Sequence, residues 1–185
     1  MKKMLFISCV VWLTACNNAA TNEAKPADST AAPATAAAAP KLEYPYKLKE
    51  PYANWQPGDQ QHAVNVMKAL QAYEKGDVAA CMAYFADSVA MHFDYLDTKL
   101  SKDSLQKFFA AQRSGYTSLE VNMNDWESVI SENKKTEYVT LWYKEKWMDK
   151  KGKADSIRVV DDCKIVNGKI AELDEKIQHF PVAKK

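Results

Sequence analysis

The adjacent carboxylates Asp161 and Asp162 sit inside an apolar alternation, and no other pair of residues in the chain points as directly to chemistry. Side chains in a strand alternate between faces, so Asp161 shares a side with Ile157, Val159 and Cys163 while Asp162 takes the other. A carboxyl on an apolar concave face resists ionisation and can serve as an acid or a hydrogen-bond donor. Two plainer readings stay open: both aspartates are solvated near a strand end, or Asp161 pairs with a Lys or Arg. Tyr143 is the second candidate, on one strand face with Val139, Leu141 and Trp147, and Asp161 with Tyr143 makes the candidate catalytic pair.

An earlier segment alternates Val89, Met91, Phe93 and Tyr95 with Ala90, His92 and Asp94, the pattern of a half-buried strand. The predicted pocket lining is therefore Met91, Phe93, Tyr95, Trp126, Tyr143, Trp147 and Asp161. The same period of two turns His92 and Asp94 away from it, unless a one-residue bulge reverses their direction. His62 and His179 stand alone and read as structural or solvated. Tyr138 and Trp142 share the opposite face of the strand carrying Tyr143, which marks them for a partner sheet or an interface.

Other chemistries lack their motifs. The chain has no Gly-rich phosphate loop, no Ser-His-Asp order and no HExxH helix. It has no Cys/His spacing suited to a metal, so neither metal nor cofactor is expected. Of its four cysteines, Cys81 and Cys163 fall in the folded part. A disulfide between them is open outside the cytoplasm, although small buried thiols are the commoner outcome.

The elements that must hold these residues follow from periodicity. Val66, Met67, Leu70 and Tyr73 are spaced for a helix over 63–75, which Gly76 ends. Asp77 can cap a short helix over 78–86, and Ser101 can cap a third that runs to Arg113 and buries Leu105, Phe108 and Phe109. After Gly115 the pattern is all strand. One segment runs from Leu119 to Ile130 with a phase break near Asp125 that implies a bulge. Others follow over 137–148, 155–166 and 169–180, joined at Lys150-Lys151-Gly152-Lys153 and at Asn167-Gly168. Helices followed by hairpin-linked strands predict an α+β domain, a cone-shaped curved antiparallel sheet packed on three N-terminal helices.

The beginning of the chain gives an address. Lys2 and Lys3 precede an apolar run from Met4 to Leu13, too short to span a bilayer as a helix. That run closes on Leu13-Thr14-Ala15-Cys16, which resembles the lipobox of bacterial lipoproteins. The resemblance implies a signal peptide over 1–15, a lipid on Cys16 and a protein anchored to the cell envelope. Asn17 and Asn18 stand where inner-membrane retention uses Asp, so the outer membrane facing the periplasm is favoured in a cell with two membranes.

Residues 16–58 form the expected tether. Eleven of the 24 positions from 17 to 40 are Ala and three are Pro, which cannot bury enough surface to offset chain entropy. A coil of that length reaches on the order of 25–30 Å. Tyr44, Tyr46, Tyr52 and Trp55, interleaved with Pro45, Pro51 and Pro57, are expected to lie extended along the domain. Without Lys2 and Lys3 the chain carries 23 basic against 24 acidic residues, a formal charge of −1 that argues against nucleic acid as a partner.

Within the domain, 59–182, two further stretches carry a resemblance. Ala69 to Asp77 followed by Tyr84-Phe85-Ala86-Asp87-Ser88-Val89 is similar to the opening of SnoaL-like domains of the nuclear transport factor 2-like superfamily. Asn167-Gly168-Lys169-Ile170 is similar to the turn before that family's last strand. The resemblance covers roughly residues 60–180 and implies a bent sheet wrapped on helices with an apolar pocket at its open end. It also implies homodimers formed through the outer sheet face, with Tyr138 and Trp142 as interface candidates. Isomerase-like members place a general-base Asp in the first strand, and the ungapped match here is Phe93, which cannot take a proton. Some relatives draw an oxyanion-stabilising acid from the strand that holds Asp161.

The expected role is therefore lipid-anchored, non-catalytic binding of a small apolar ligand or a protein partner. The alternative is an isomerase, dehydratase or cyclase acting through Asp161 and Tyr143. Two or more polar groups converging inside the cone would mark the enzyme, and an almost wholly apolar lining the binding module.

Overall fold

The computed structural model describes residues 43–47 and 54–180. Cys16, the signal segment and the Ala/Pro-rich stretch therefore lie outside the described residues. Ten elements follow in order: β1 (Gln56–Pro57), α1 (Gln60–Glu74), α2 (Val78–Met82), β2 (Phe85–Phe93), β3 (Leu96–Ser101), α3 (Lys102–Arg113), β4 (Tyr116–Ile130), β5 (Glu137–Asp149), β6 (Ala154–Val166) and β7 (Lys169–His179). The strands make one curved, unclosed sheet in the order β1-β4-β5-β6-β7-β2-β3, and the helices fill its concave side.

The helix boundaries have local causes. The Asp59 carboxylate accepts from the backbone N–H of Gln61 at 2.8 Å and starts α1. Gly76, at φ +82, reverses the chain after α1, a conformation that a Cβ would strain. The Ser101 hydroxyl accepts from the N–H of Ser104 and starts α3. Ala63, Val66 and Ala69 of α1, Cys81 and Met82 of α2, and Leu105 and Phe109 of α3 are buried against Val89, Met91, Val139, Leu141, Val159 and Cys163 of the sheet. Burial of this kind, at about 25 cal/mol per Å² of apolar surface, is the main force closing the helices onto the sheet.

The sheet departs from a wholly antiparallel expectation at one point. β2 runs parallel to β7, with Met91 opposite Leu173. Tight turns enforce antiparallel pairing only between consecutive strands, and β2 reaches β7 from the far end of the chain. Strand β3 is a second departure. Phe93 pairs with Leu96, so Asp94 and Tyr95 form a two-residue turn rather than the end of a strand. That dipeptide has neither the Gly nor the Asn that usually marks such a turn. The short second helix stops at Met82 instead of Ala86, because Phe85 already pairs with Ile170 in the sheet.

The bulge expected near Asp125 falls between Met123 and Asp125, where Met123 pairs with Tyr143 and Asp125 with Trp142. At the N-terminal side the sheet begins at Gln56, ahead of the domain start expected at Asp59, because β1 pairs with the edge of β4. Pro57, which lacks an N–H, is tolerated on that edge. Trp55 packs edge-on to Tyr138, with ring centroids 6.1 Å apart, so this end of the Pro/aromatic segment does lie along the domain.

Candidate functional site

A cavity of about 280 Å³ lies between the three helices and the concave face of the sheet. Its helical wall is Val66, Ala69, Leu70 and Tyr73 from α1, Cys81 from α2, and Phe109 and Gln112 from α3. The sheet wall alternates apolar and acidic side chains. Tyr143, Glu145 and Trp147 come from β5, Ile157, Asp161 and Cys163 from β6, and Leu173, Glu175, Ile177 and His179 from β7.

Strand parity separates the two aspartates as the period of two requires. Asp161 points into the cavity and is only 6% exposed. Asp162 lies on the outer face, where it accepts from the Thr140 hydroxyl at 2.6 Å and from Lys176 Nζ at 2.8 Å. Of the two plain alternatives for Asp161, neither describes it: its partner is the Tyr143 hydroxyl, which donates to Oδ2 at 2.9 Å. Its other oxygen, Oδ1, is buried with no hydrogen-bond partner among the described residues. Tyr143 sits opposite Val159, one diagonal step from Asp161, so the bond follows from register.

Glu175 is the residue directly opposite Asp161 on β7, and Glu145 lies farther along β5 opposite Ile157. The curved sheet turns all three carboxyls into one void. Burial pushes the Asp161 carboxyl up, the Tyr143 hydrogen bond holds it back, and the neighbouring charges of Glu145 and Asp162 raise it further. Burial likewise raises Glu175, reinforced by Asp161 and Glu145. Like carboxylates facing each other on adjacent strands cannot both ionise cheaply, so the two titrate as a pair displaced to about 7 and about 8. Burial pushes Glu145 up to about 7, with Arg113 opposing and Glu74 adding.

The cations near the site are engaged elsewhere. Arg113 donates to the carbonyls of Tyr73, Glu74 and Tyr116, and Lys176 bridges Asp162 and Asp174 on the outer face. No ion pair among the described residues includes Asp161, Glu145 or Glu175. Also among the described residues, no group of three or more His, Cys, Asp or Glu side chains could hold a metal ion.

Five of the seven residues predicted to line a pocket are brought together here: Phe93, Tyr95, Tyr143, Trp147 and Asp161. Tyr95 arrives by a different route, from the turn after β2, and the Gln112 amide donates to its hydroxyl at 3.2 Å. Met91 and Trp126 do not line the cavity. Met91 is fully buried in the core, opposite Leu173, and Trp126 lies beyond the bulge of β4 and is 47% exposed. The bulge resets the alternation so that Trp126 pairs with Leu141, a cavity-lining residue, yet Trp126 itself stays outside the lining.

His92 bonds Asp97 across the β2–β3 hairpin, and neither His92 nor Asp94 lines the cavity. His62, read as lone, meets Glu137 at 2.6 Å, and His179 reaches the cavity rim. Cys81 and Cys163 are free buried thiols whose ionisation burial suppresses, Cys81 being pushed up to about 12. On the outer face, Tyr138 lies under Trp55, and Trp142 lines a shallow groove with Arg158, Lys176 and Gln178.

Glu145 and Glu175 are the site residues that sequence reasoning missed. Their signal was the one that singled out Asp161. Glu145 interrupts Leu141, Tyr143 and Trp147 at period two, and Glu175 interrupts Leu173 and Ile177.

This combination of a bent mixed sheet, three helices and an internal cavity is the fold of nuclear transport factor 2-like proteins. Solved structures with this fold include AusH from Aspergillus nidulans, at a TM-score of 0.53 and 13% identity over 66% of this chain and 87% of that one. An NTF2-like protein from Anabaena variabilis gives 0.53 and 15% over 65% and 90%. A protein from Jannaschia sp. CCS1, designated a SnoaL-like polyketide cyclase, gives 0.53 and 11% over 66% and 88%. At these identities the likeness is one of fold. No protein-family model and no curated protein matches the chain.

Proposed function

We propose that the protein is an acid–base enzyme of the isomerase, dehydratase or cyclase kind, held at the cell envelope by lipid on Cys16. The observation that carries this reading is the convergence of Asp161, Glu175 and Glu145 in one cavity, with the Tyr143 hydroxyl bound to Asp161 at 2.9 Å. A pocket serving only to bind an apolar molecule gains nothing from three buried carboxyls, each of which costs free energy to ionise there. Carboxyls that change protonation near neutrality are suited to give and take protons at working pH.

In this reading a small, largely apolar substrate lies against Trp147, Phe93 and Tyr73. Protonated Glu175 donates to an oxygen that gains negative charge, and ionised Asp161, held by the Tyr143 hydroxyl, removes a proton from an adjacent carbon. Phe93, at the position where isomerase-like members carry their base, then serves as wall rather than as reagent. The likeness in fold to a protein designated a polyketide cyclase is compatible with this chemistry and does not select the substrate.

Deuterium exchange tests the reading. Small cyclic ketones, with and without an amino substituent, are incubated with the full chain in D2O and followed by proton NMR. The expected result is loss of the signal next to the carbonyl at least 100-fold faster than in buffer, reduced by about 10²–10³ in Asp161→Asn. Wild-type protein that exchanges no ketone faster than buffer would overturn the assignment.

The anchor has its own check. Cys16→Ser is expected to move the protein from the membrane to the soluble fraction and to abolish incorporation of labelled palmitate. Unchanged fractionation and labelling would remove the lipid from the proposal.

A further inference from the structure

The cavity's chemistry narrows the ligand beyond small and largely apolar. We infer that the cone receives a protonated amine with a compact apolar body, its N–H groups directed at Asp161 and Glu175. This rests on the reading of the cone as the working site, and not on any particular reaction there.

The void carries three carboxyls and no lysine or arginine among the described residues that line it. Arg113 and Lys176, the cations that act on them from outside, are bound to other groups. The site is thus a sink for positive charge that the described residues leave unfilled. An anionic ligand is excluded by repulsion from the same three groups.

A neutral ligand is disfavoured by a second and independent observation. Asp161 lines the cavity, and its buried Oδ1 has no hydrogen-bond donor among the described residues. An unsatisfied buried acceptor costs about 1–3 kcal/mol, so the ligand that fits must bring a donor to it. A charged N–H donor supplies both the bond and the countercharge, and such bonds are roughly twice as strong as neutral ones. A quaternary ammonium brings the charge and no donor, which leaves Oδ1 unanswered.

The walls suit the remainder of such a molecule. Tyr73, Tyr116 and Trp147 line the void, and aromatic faces attract cations as well as apolar groups. A volume of about 280 Å³ lies just below the range of drug-sized pockets, which fits a one-ring amine better than a larger body.

The probes are benzylammonium, 2-phenylethylammonium and cyclohexylammonium, each compared with the alcohol that replaces its nitrogen by oxygen, and phenylacetate as an anion. Calorimetric titration of the full chain at pH 8 is expected to give at least one ammonium binding tenfold or more tightly than its alcohol, and no binding of phenylacetate. Glu175→Gln and Asp161→Asn are each expected to weaken that ammonium by tenfold or more while leaving the alcohol within twofold. Glu145→Gln, checked by its thermal transition, keeps the test open if either of those variants does not fold.

Equal binding of ammonium and alcohol, binding of neither, or ammonium binding that survives the carboxyl substitutions overturns the inference. Ketone exchange without ammonium preference would sink the amine and leave the acid–base reading standing. Ammonium preference without exchange would do the reverse.

Discussion

Glu175→Gln raises the stability of the protein at pH 9 by on the order of 2–4 kcal/mol and changes it little at pH 4, measured by urea unfolding at each pH. In the unfolded chain Glu175 releases its proton near 4.5, and in the folded protein the pair it forms with Asp161 holds protons up to about 7 and about 8. Below pH 4.5 both states are protonated, and the group contributes no difference. Between 4.5 and 8 the folded state binds the extra proton, so stability falls as pH rises and the full loss persists above 8.

One displaced unit corresponds to about 1.4 kcal/mol, which for Glu175 alone would exceed the range given. The lower figure applies because relaxation and water entry around a buried carboxylate reduce its cost below the value for a rigid dry site. Asp161→Asn and Glu145→Gln act in the same direction. Wild-type protein is consequently more stable near pH 5 than near pH 8. A Glu175→Gln variant no more stable at pH 9 than wild type would mean that the carboxyls are solvated and the cavity is open to bulk water.

Particular residues show how much of this was legible in the sequence. Parity alone separates Asp161 from Asp162, because β6 has no bulge between Ile157 and Cys163 to reset the alternation. In β4 one unpaired residue resets the alternation and sets Trp126 opposite Leu141, but parity fixes only the face, and Trp126 remains 47% exposed outside the cavity. Ser101 and Asp59 announce their helices through cap chemistry, which is local.

What local rules do not carry is which strands become neighbours. That Glu175 faces Asp161 depends on the β6–β7 register, and the parallel seat of β2 against β7 joins Met91 to Leu173 across most of the domain's sequence. The convergence of three carboxyls is therefore a property of sheet curvature and strand order. Each acid is visible in sequence as an interruption of an apolar alternation, and their meeting is not. That difference moves the reading from passive binding toward proton chemistry.

Tyr143→Phe separates the two roles open to Tyr143, packing and orientation. Its ring is buried beside Leu141 and Val159, and phenylalanine keeps that packing. Only the hydroxyl that donates to Asp161 Oδ2 is lost, which leaves neither oxygen of Asp161 bonded by any described residue. The bond favours the ionised carboxyl, so its removal pushes Asp161 still further above the ordinary carboxylate range.

The expected destabilisation is about 1 kcal/mol at pH 4.5, where Asp161 is protonated and the lost bond joins neutral groups. At pH 9, where it must be made to a buried carboxylate, the loss is about 2–3 kcal/mol. A merely packed tyrosine would give the same small cost at both values. In the double variant Tyr143→Phe/Asp161→Asn the extra alkaline loss should vanish, because no charge remains for the hydroxyl to stabilise. An alkaline loss that persists in the double variant would place the effect of Tyr143 on another group, with Glu175 and Glu145 next nearest in charge.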